Sequence, residues 1–373
     1  MGFFKEYRNV QQLLKQKQQV VIYAESRFYF QYYQQLINDL LKENIPVTYL
    51  SSDKSDPLLQ SAPDKMKVIY VKWMLGHLFA RIRADVMIMT MPDLGHFLYK
   101  RSPDTGTYIY MFHAAVSTHQ QYRKHAFENY DAVFCTGPYQ QEELMEEEKL
   151  YNLPAKKLLP YGYPLLDQLQ QTEKKSGTKP AILLAPSWFE GCIFDSCLEE
   201  LLSVLQTLPC RIILRPHPEY VKRNRKKFQS IRQLIRNNPQ MEIDETPDLL
   251  QRLSETDILI TDRSGIALEF AMGCRRPVIF IETALKETNK EWRKWGMEPI
   301  ENVIRNQIGI LVQPGDLSII PSVIEEMSQS KESFSEKMDT LKREHFYNSP
   351  AAYQEGVKYI LDKLNTQLPI PNI

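Results

Sequence analysis

Apolar runs of strand length alternate with helical patterns along nearly the whole chain, and this rhythm restricts the fold more than any other feature. Runs at 19–24, 46–50, 67–71, 85–90, 108–112 and 131–135 are short, rich in aliphatic and aromatic residues, and separated by stretches of helical periodicity. Parallel neighbours need a crossover long enough for a helix, so the alternation predicts parallel sheets with helices on both faces. The rhythm restarts after the polar stretch 167–179, with strands expected near 181–185, 211–214, 241–243, 257–261 and 277–281. A chain of 373 residues has room for two cores. The polar stretch reads as a linker, which divides the chain into units at 1–166 and 167–349. A last helical pattern at 351–364 opens a C-terminal segment, 350–373, that can pack back on the first unit. The fold class expected is α/β: two doubly wound, Rossmann-like units facing across a cleft, with ligands beyond the carboxyl ends of their strands.

Composition excludes several classes of function. Hydrophobic residues at 43% and charged residues at 25% describe a globular protein, neither a disordered chain nor a fibre. Lys+Arg and Asp+Glu both total 46, so no global field attracts nucleic acid, and any anion site must be built locally. Five cysteines, odd in number and without a Cys-x-x-Cys pair, predict reduced thiols in a cytoplasmic compartment and no structural zinc. The first residues lack the apolar core of a signal peptide, and no run approaches the ~20 apolar residues that span a bilayer. Two stretches have the make-up of helices that lie on anionic lipid: 1–14, with Phe3, Phe4, Lys5, Tyr7 and Arg8, and 71–83, with Val71, Leu75, Leu78 and Ile82 on one face and Lys72, Arg81 and Arg83 alongside. Ordinary packing of a core-facing helix explains both as well. The charge run 142–149 reads as a solvated helix face.

The chemistry is concentrated at strand ends. Thr261-Asp262-Arg263-Ser264-Gly265 follows an apolar run and opens a helix whose unsatisfied N–H groups and positive dipole end favour a phosphate. Gly265 is expected to let that phosphate come close. Glu269, one turn deeper on the same face, is placed to accept hydrogen bonds from a ribose diol, so the pair points to a nucleotide diphosphate. Arg215-Pro216-His217-Pro218 stands directly after the strand 211–214. Its prolines limit the loop's conformers, so a guanidinium fork and an imidazole are presented with little entropy left to lose on a phosphate. Ser187, in Ala185-Pro186-Ser187-Trp188, ends another strand and offers a hydroxyl to a phosphate oxygen; the plainer alternative is a helix cap with Trp188 in the core. In the first unit His113 ends a strand, where an imidazole can take a hydroxyl proton near neutral pH. His119 and His125 do not complete a metal motif with it. Asp93, beside Gly95 and His96, is either on the same rim or the cap of a helix.

The ordered series strand-Pro-Ser-Trp, Arg-Pro-His-Pro, Thr-Asp-x-Ser-Gly and Arg-Pro-Val-Ile-Phe resembles the CDP-glycerol glycerophosphotransferases, the teichoic acid primases and polymerases. The likeness covers most of the second unit; in the first it rests on the His113 segment, Tyr130-Asp131 and Gly137-Pro138. It implies a GT-B fold with an acceptor-side N-terminal domain and a C-terminal domain holding a CDP-alditol donor. It also implies that Arg215, His217, Ser264 and the Asp262-Ser264-Gly265-Glu269 segment bind the donor with help from Ser187. His113 would deprotonate a hydroxyl of a glycan or lipid-linked acceptor, with no metal and no cofactor, in the cytoplasm or at the inner face of the membrane. Three positions depart from the family pattern: Phe189, Ala114, and Ser264-Gly265 with Glu269 in place of Ser-Ser with Asp. The Ser-Gly-x-x-x-Glu form also resembles other GT-B nucleotide-sugar enzymes, UDP-GlcNAc 2-epimerases and sugar transferases among them. A noncatalytic protein that binds nucleotide or envelope polymer is the third reading.

Overall fold

The computed structural model describes residues 2–97, 99–173, 177, 179–246, 248–285, 287–329, 331–348 and 350–366. Seven strands, β1 (Gln18–Ala24), β2 (Val47–Ser51), β3 (Met66–Tyr70), β4 (Ala84–Met89), β5 (Thr105–Met111), β6 (Ala132–Cys135) and β7 (Lys157–Pro160), form one sheet in the order β3-β2-β1-β4-β5-β6-β7. Six more, β8 (Ala181–Leu184), β9 (Arg211–Leu214), β10 (Met241–Ile243), β11 (Ile258–Thr261), β12 (Val278–Ile281) and β13 (Gly309–Val312), form a second sheet in the order β10-β9-β8-β11-β12-β13. Every pairing is parallel. All the side chains of β2 and β4 are buried, as expected of parallel strands covered on both faces. Covering helices use a narrow apolar stripe: Phe30–Lys42 buries Tyr33, Leu36, Ile37 and Leu40, and Leu198–Leu205 buries Leu198, Leu201, Leu202 and Leu205.

Strand order reverses between β1 and β4 in the first sheet and between β8 and β11 in the second. Chains diverge there, above and below the sheet, and leave a crevice at the carboxyl edge. Glu25 and Thr90 follow the strands that flank the first crevice, and Ser187 and Asp262 those that flank the second.

Several expectations need correction. The stretch 167–179 is not a linker throughout, because Asp167 to Gln171 complete the helix Pro164–Gln171, which buries Leu165, Leu166 and Leu169; residues 174–176 and 178 lie outside those described. The pattern at 71–83 yields a helix only at Leu75–Phe79, although Val71, Leu75, Leu78 and Ile82 do all point into the core. The helix Pro350–Asn365 inserts Tyr353, Val357, Ile360 and Leu364 among the side chains of the first sheet. It approaches so closely at Gly356 that a Cβ there would stand 2.4 Å from the Tyr161 ring.

Candidate active site

The crevice of the second sheet is organised by a carboxylate. Asp262 is wholly buried; its Oδ1 accepts the N–H of Ser187 at 2.8 Å and of Arg263 at 2.6 Å, and its Oδ2 that of Ile193 at 3.1 Å. Both oxygens are engaged by backbone, so Asp262 fixes the loops after β8 and β11 and is not the donor-contacting group expected from its motif. Ser187, beside it, is buried, and its hydroxyl has no hydrogen-bond partner among the described residues. It caps no helix, since Cys192 precedes the next one. Trp188 is half-buried, its ring 6.2 Å from that of His217 and beneath the Arg223 guanidinium at 4.8 Å.

The loop after β9 holds its cation in a fixed pose. Arg215 pairs through Nη1 with the buried Asp244, which also accepts Arg252 Nε at 3.0 Å and the Thr246 hydroxyl at 2.7 Å. Burial works to raise the Asp244 pKa, but the hydrogen bonds from Thr246 and the charge of Arg215 hold it below the ordinary carboxylate range. His217 caps the helix Pro218–Arg223: its Nδ1 accepts the N–H of Glu219 at 3.2 Å. A ring nitrogen that accepts carries no proton, so the neutral imidazole bears its hydrogen on Nε2 and is a donor on that side.

From the first sheet, the loop 112–121 after β5 crosses to the second half. Ser117 donates through its N–H to Glu301 at 3.0 Å, and His119 Nε2 meets the Met297 carbonyl at 3.1 Å while Asn289 donates to the His119 carbonyl at 2.9 Å. At the base of this loop the His113 ring lies edge-on to Tyr29 at 5.1 Å and to Tyr32 at 6.2 Å. The Tyr163 hydroxyl is 3.1 Å from the His113 carbonyl and 2.6 Å from Glu269 Oε1, and its ring stacks on Tyr32 at 5.9 Å. Arg215 is near enough to Tyr32 and Glu269 for its charge to lower the pKa of both. His113, Arg215 and Glu269 are therefore assembled around one tyrosine cluster. Ser264, half-buried, opens the turn that leads to Glu269.

Gly265 and Glu269 do not act as their spacing suggested. Gly265 has ordinary right-handed backbone; what its missing side chain accommodates is Val116, whose Cγ1 would be 2.9 Å from a Cβ. Glu269 is only 4% exposed and faces the seam between the halves, where Tyr163 occupies its carboxylate. It begins a π-helical turn, Glu269–Gly273, that widens the helix after Ile266–Leu268.

The run 142–149 is not simply solvated. Glu143 and Glu147 are buried: Glu143 accepts the Thr118 hydroxyl at 2.7 Å and lies 3.1 Å from His119, and Glu147 accepts the N–H of His125 at 2.9 Å. Burial alone would lower the His119 pKa, but Glu143 and the Met297 carbonyl outweigh it and raise it; with Glu143 on one ring nitrogen and Met297 on the other, His119 is a bracket between halves. Asp93 caps no helix among the described residues; it sits in a left-handed turn, its N–H on the Ala126 carbonyl. No group of three or more His, Cys, Asp or Glu among the described residues is placed to hold a metal ion.

Some site residues escaped the sequence. Glu282 directly follows β12 and pairs with both Arg263 and Arg305; burial and the Arg263 charge push the Arg305 pKa down to about 10. The strand-end rule that found Arg215 also selects Glu282. Tyr29 and Tyr32 belong to an aromatic-dense segment after β1, which was a signal, whereas nothing at Tyr163 marked it beyond the proline that follows.

The seam carboxylate has a measurable consequence. Burial pushes the Glu269 pKa from 4.5 up to about 7, although the Tyr163 hydrogen bond and Arg215 oppose it. A group whose pKa is raised on folding stabilises fully below its unfolded value and loses that contribution as pH rises through the folded one. At ~1.4 kcal/mol per pKa unit, wild type should lose about 3 kcal/mol relative to Glu269→Gln between pH 4.5 and 8. Urea denaturation of both proteins across that range measures it, and a stability difference independent of pH would refute it.

The chain matches, over residues 9–308, the family described as CDP-glycerol:poly(glycerophosphate) glycerophosphotransferase. No curated protein sequence matches it significantly. Among solved structures it is similar to the wall teichoic acid polymerase TagF, with 15% identity and a TM-score of 0.58 over 94% of this chain and 90% of that one. It is also similar to a putative UDP-N-acetylglucosamine 2-epimerase from Listeria monocytogenes, at 15% identity and TM-score 0.60, covering 96% and 100% of the two chains. MnaA of S. aureus, solved with UDP, gives 12% identity and TM-score 0.62 over 95% and 98%. At such identities the structural likeness establishes the fold, two facing parallel sheets of the GT-B class. The family match over most of the length goes further: the chain belongs to the CDP-glycerol:poly(glycerophosphate) glycerophosphotransferases and is an enzyme of that type.

Proposed function

We propose that this enzyme moves glycerol phosphate from CDP-glycerol to a hydroxyl of a lipid-linked or polymeric envelope glycan, with release of CMP. Residues 1–166, joined by the segment 350–373, form the acceptor side, and residues 167–349 the donor side. One juxtaposition carries the reading: the Tyr163 hydroxyl, within reach of both the His113 carbonyl and Glu269, sets the imidazole of the first half beside the part of the second that holds Arg215. His113 takes the proton of the acceptor hydroxyl. That oxygen attacks the phosphorus bearing glycerol, a new P–O bond forms, the bond to CMP breaks, and its electron pair leaves with CMP. Arg215 and the Nε2–H of His217 meet the charge on the phosphates, with the backbone N–H groups after Ser264 and the Ser187 hydroxyl as further donors.

A second reading is favoured by one observation. Three carboxylates, Glu25, Glu219 and Glu269, lie near the cleft, and burial together with the charge of Glu219 raises the Glu25 pKa. Acid–base turnover of a UDP-sugar, as in an epimerase or hydrolase, would use such groups. Incubation with CDP-glycerol, CDP-ribitol or UDP-GlcNAc, with and without a glycan acceptor, separates the two by mass spectrometry. The expected result is CMP together with an acceptor heavier by one glycerol phosphate; turnover of the UDP-sugar without acceptor would transfer the assignment to the rival. A protein that merely binds nucleotide releases no CMP.

The helix Phe3–Leu14 supports a peripheral membrane contact on the cytoplasmic face, since Phe3, Phe4 and Tyr7 are exposed beside Lys5 and Arg8. No helix among the described residues is long and apolar enough to cross a membrane. With anionic liposomes in the same incubation, the protein should float with the vesicles and a Phe3→Ser/Phe4→Ser variant should not.

A further inference from the structure

A groove of about 450 Å³ lies at the carboxyl ends of β1, β2 and β3, lined by Glu25, Ser52, Lys54, Tyr70, Lys72 and Trp73 among others. Its rim is an indole in water: Trp73 is 74% exposed. The turn that carries it is nevertheless fixed, because the N–H groups of Lys72 and Met74 both donate at 2.8 Å to one oxygen of Glu6, a buried carboxylate on the helix Phe3–Leu14. A rigid, outward aromatic face is suited to the C–H face of a sugar ring, which stacks without ordering cost to the protein. Lys54 stands 5.8 Å over the ring of Tyr70, which forms the floor; the buried Tyr70 hydroxyl has no hydrogen-bond partner among the described residues. Ser52 is held by its own bond to the Val71 carbonyl at 2.6 Å. At the inner end, Glu25 feels the charge of Glu219 and itself acts on Tyr29, whose ring lies edge-on to that of His113. The groove thus opens at the outer edge of the first sheet and has Glu25 at its inner end, and the Tyr29 ring on which Glu25 acts stands between that end and the imidazole.

We propose that this groove seats the acceptor end of the reaction, a saccharide bearing a phosphate, with its ring on Trp73, its phosphate between Lys54 and Lys72 and its hydroxyls toward Glu25 and Ser52. This rests on the transferase reading for its role, but the binding is tested without donor or turnover, so either can fail alone. The full chain is titrated with glucose 1-phosphate, methyl glucoside and inorganic phosphate by calorimetry or saturation-transfer NMR. Glucose 1-phosphate should bind best, Trp73→Ala should weaken it about tenfold, equivalent to ~1.4 kcal/mol, and Trp73→Tyr should restore most of the loss. Lys54→Ala/Lys72→Ala should weaken the sugar phosphate and leave methyl glucoside unchanged. Equal affinities of wild type and Trp73→Ala, or inorganic phosphate binding as tightly as the sugar phosphate, would overturn the assignment. Because Trp73 projects into solvent, its replacement leaves the core intact, and unchanged melting of both Trp73 variants verifies this.

Discussion

Arg215→Ala should lower kcat/KM for CDP-glycerol by about 100-fold or more, the scale of losing one charge-assisted contact to a transition state in a site shielded from water. Arg215 follows β9 at the carboxyl edge and is oriented by Asp244, itself held by Arg252 and Thr246. The guanidinium therefore meets the phosphates without reorganising. Truncation has a second effect that must be kept apart, because it strips a buried carboxylate of one of its cations and costs stability. Arg215→Lys separates the two: it keeps a charge near Asp244 and loses the fork that grips two phosphate oxygens at once. The lysine variant should melt close to wild type and still release CMP far more slowly. Turnover within a few-fold of wild type in a folded Arg215→Ala protein would remove Arg215 from the donor site.

The strand ends were legible in the sequence because they follow local rules, and the seam was not because it is made by distant contacts. Buried parallel strands are runs of apolar residues bounded by breakers, so all nine internal strands and the edge strands β3 and β10 could be placed; β7 and β13, both edge strands of four residues, one ending in Pro160 and one starting at Gly309, carry too little pattern. Arg215 and His217 were singled out from the Pro-flanked loop, and their position after the end of β9 needed no knowledge of the other half. Glu269 was placed on an open helix face by its four-residue spacing from Gly265, but its surroundings come from Tyr163, more than a hundred residues earlier in the chain. Glu143 and Glu147 were misread for the same reason: a charge run looks solvated until a segment elsewhere, here 117–125, supplies N–H groups for it. Burial of a polar group depends on its partner, and a partner remote in sequence leaves no local mark.

His113→Ala should reduce kcat by 10²- to 10⁴-fold, the usual contribution of a positioned general base, while leaving the affinity for CDP-glycerol near that of wild type. The imidazole is held edge-on between Tyr29 and Tyr32, and the carbonyl of the backbone that carries it meets the Tyr163 hydroxyl, which also reaches Glu269 of the second half. His113, Tyr29 and Tyr32 lie on segments of the first half and not on the loop that carries Arg215 and His217, so the loss should fall on the rate of transfer and not on donor binding. Tyr163→Phe gives a graded control: it removes the bond to the carbonyl and to Glu269 but keeps the ring stacked on Tyr32, and should lower kcat by about tenfold or less with donor affinity again retained. Donor affinity is read by calorimetry on the inactive variants and kcat by CMP release with acceptor present. A His113→Ala enzyme with near-normal kcat, or one whose defect lies wholly in donor affinity, would show that the proton leaves by another route and that His113 serves only to pack the seam.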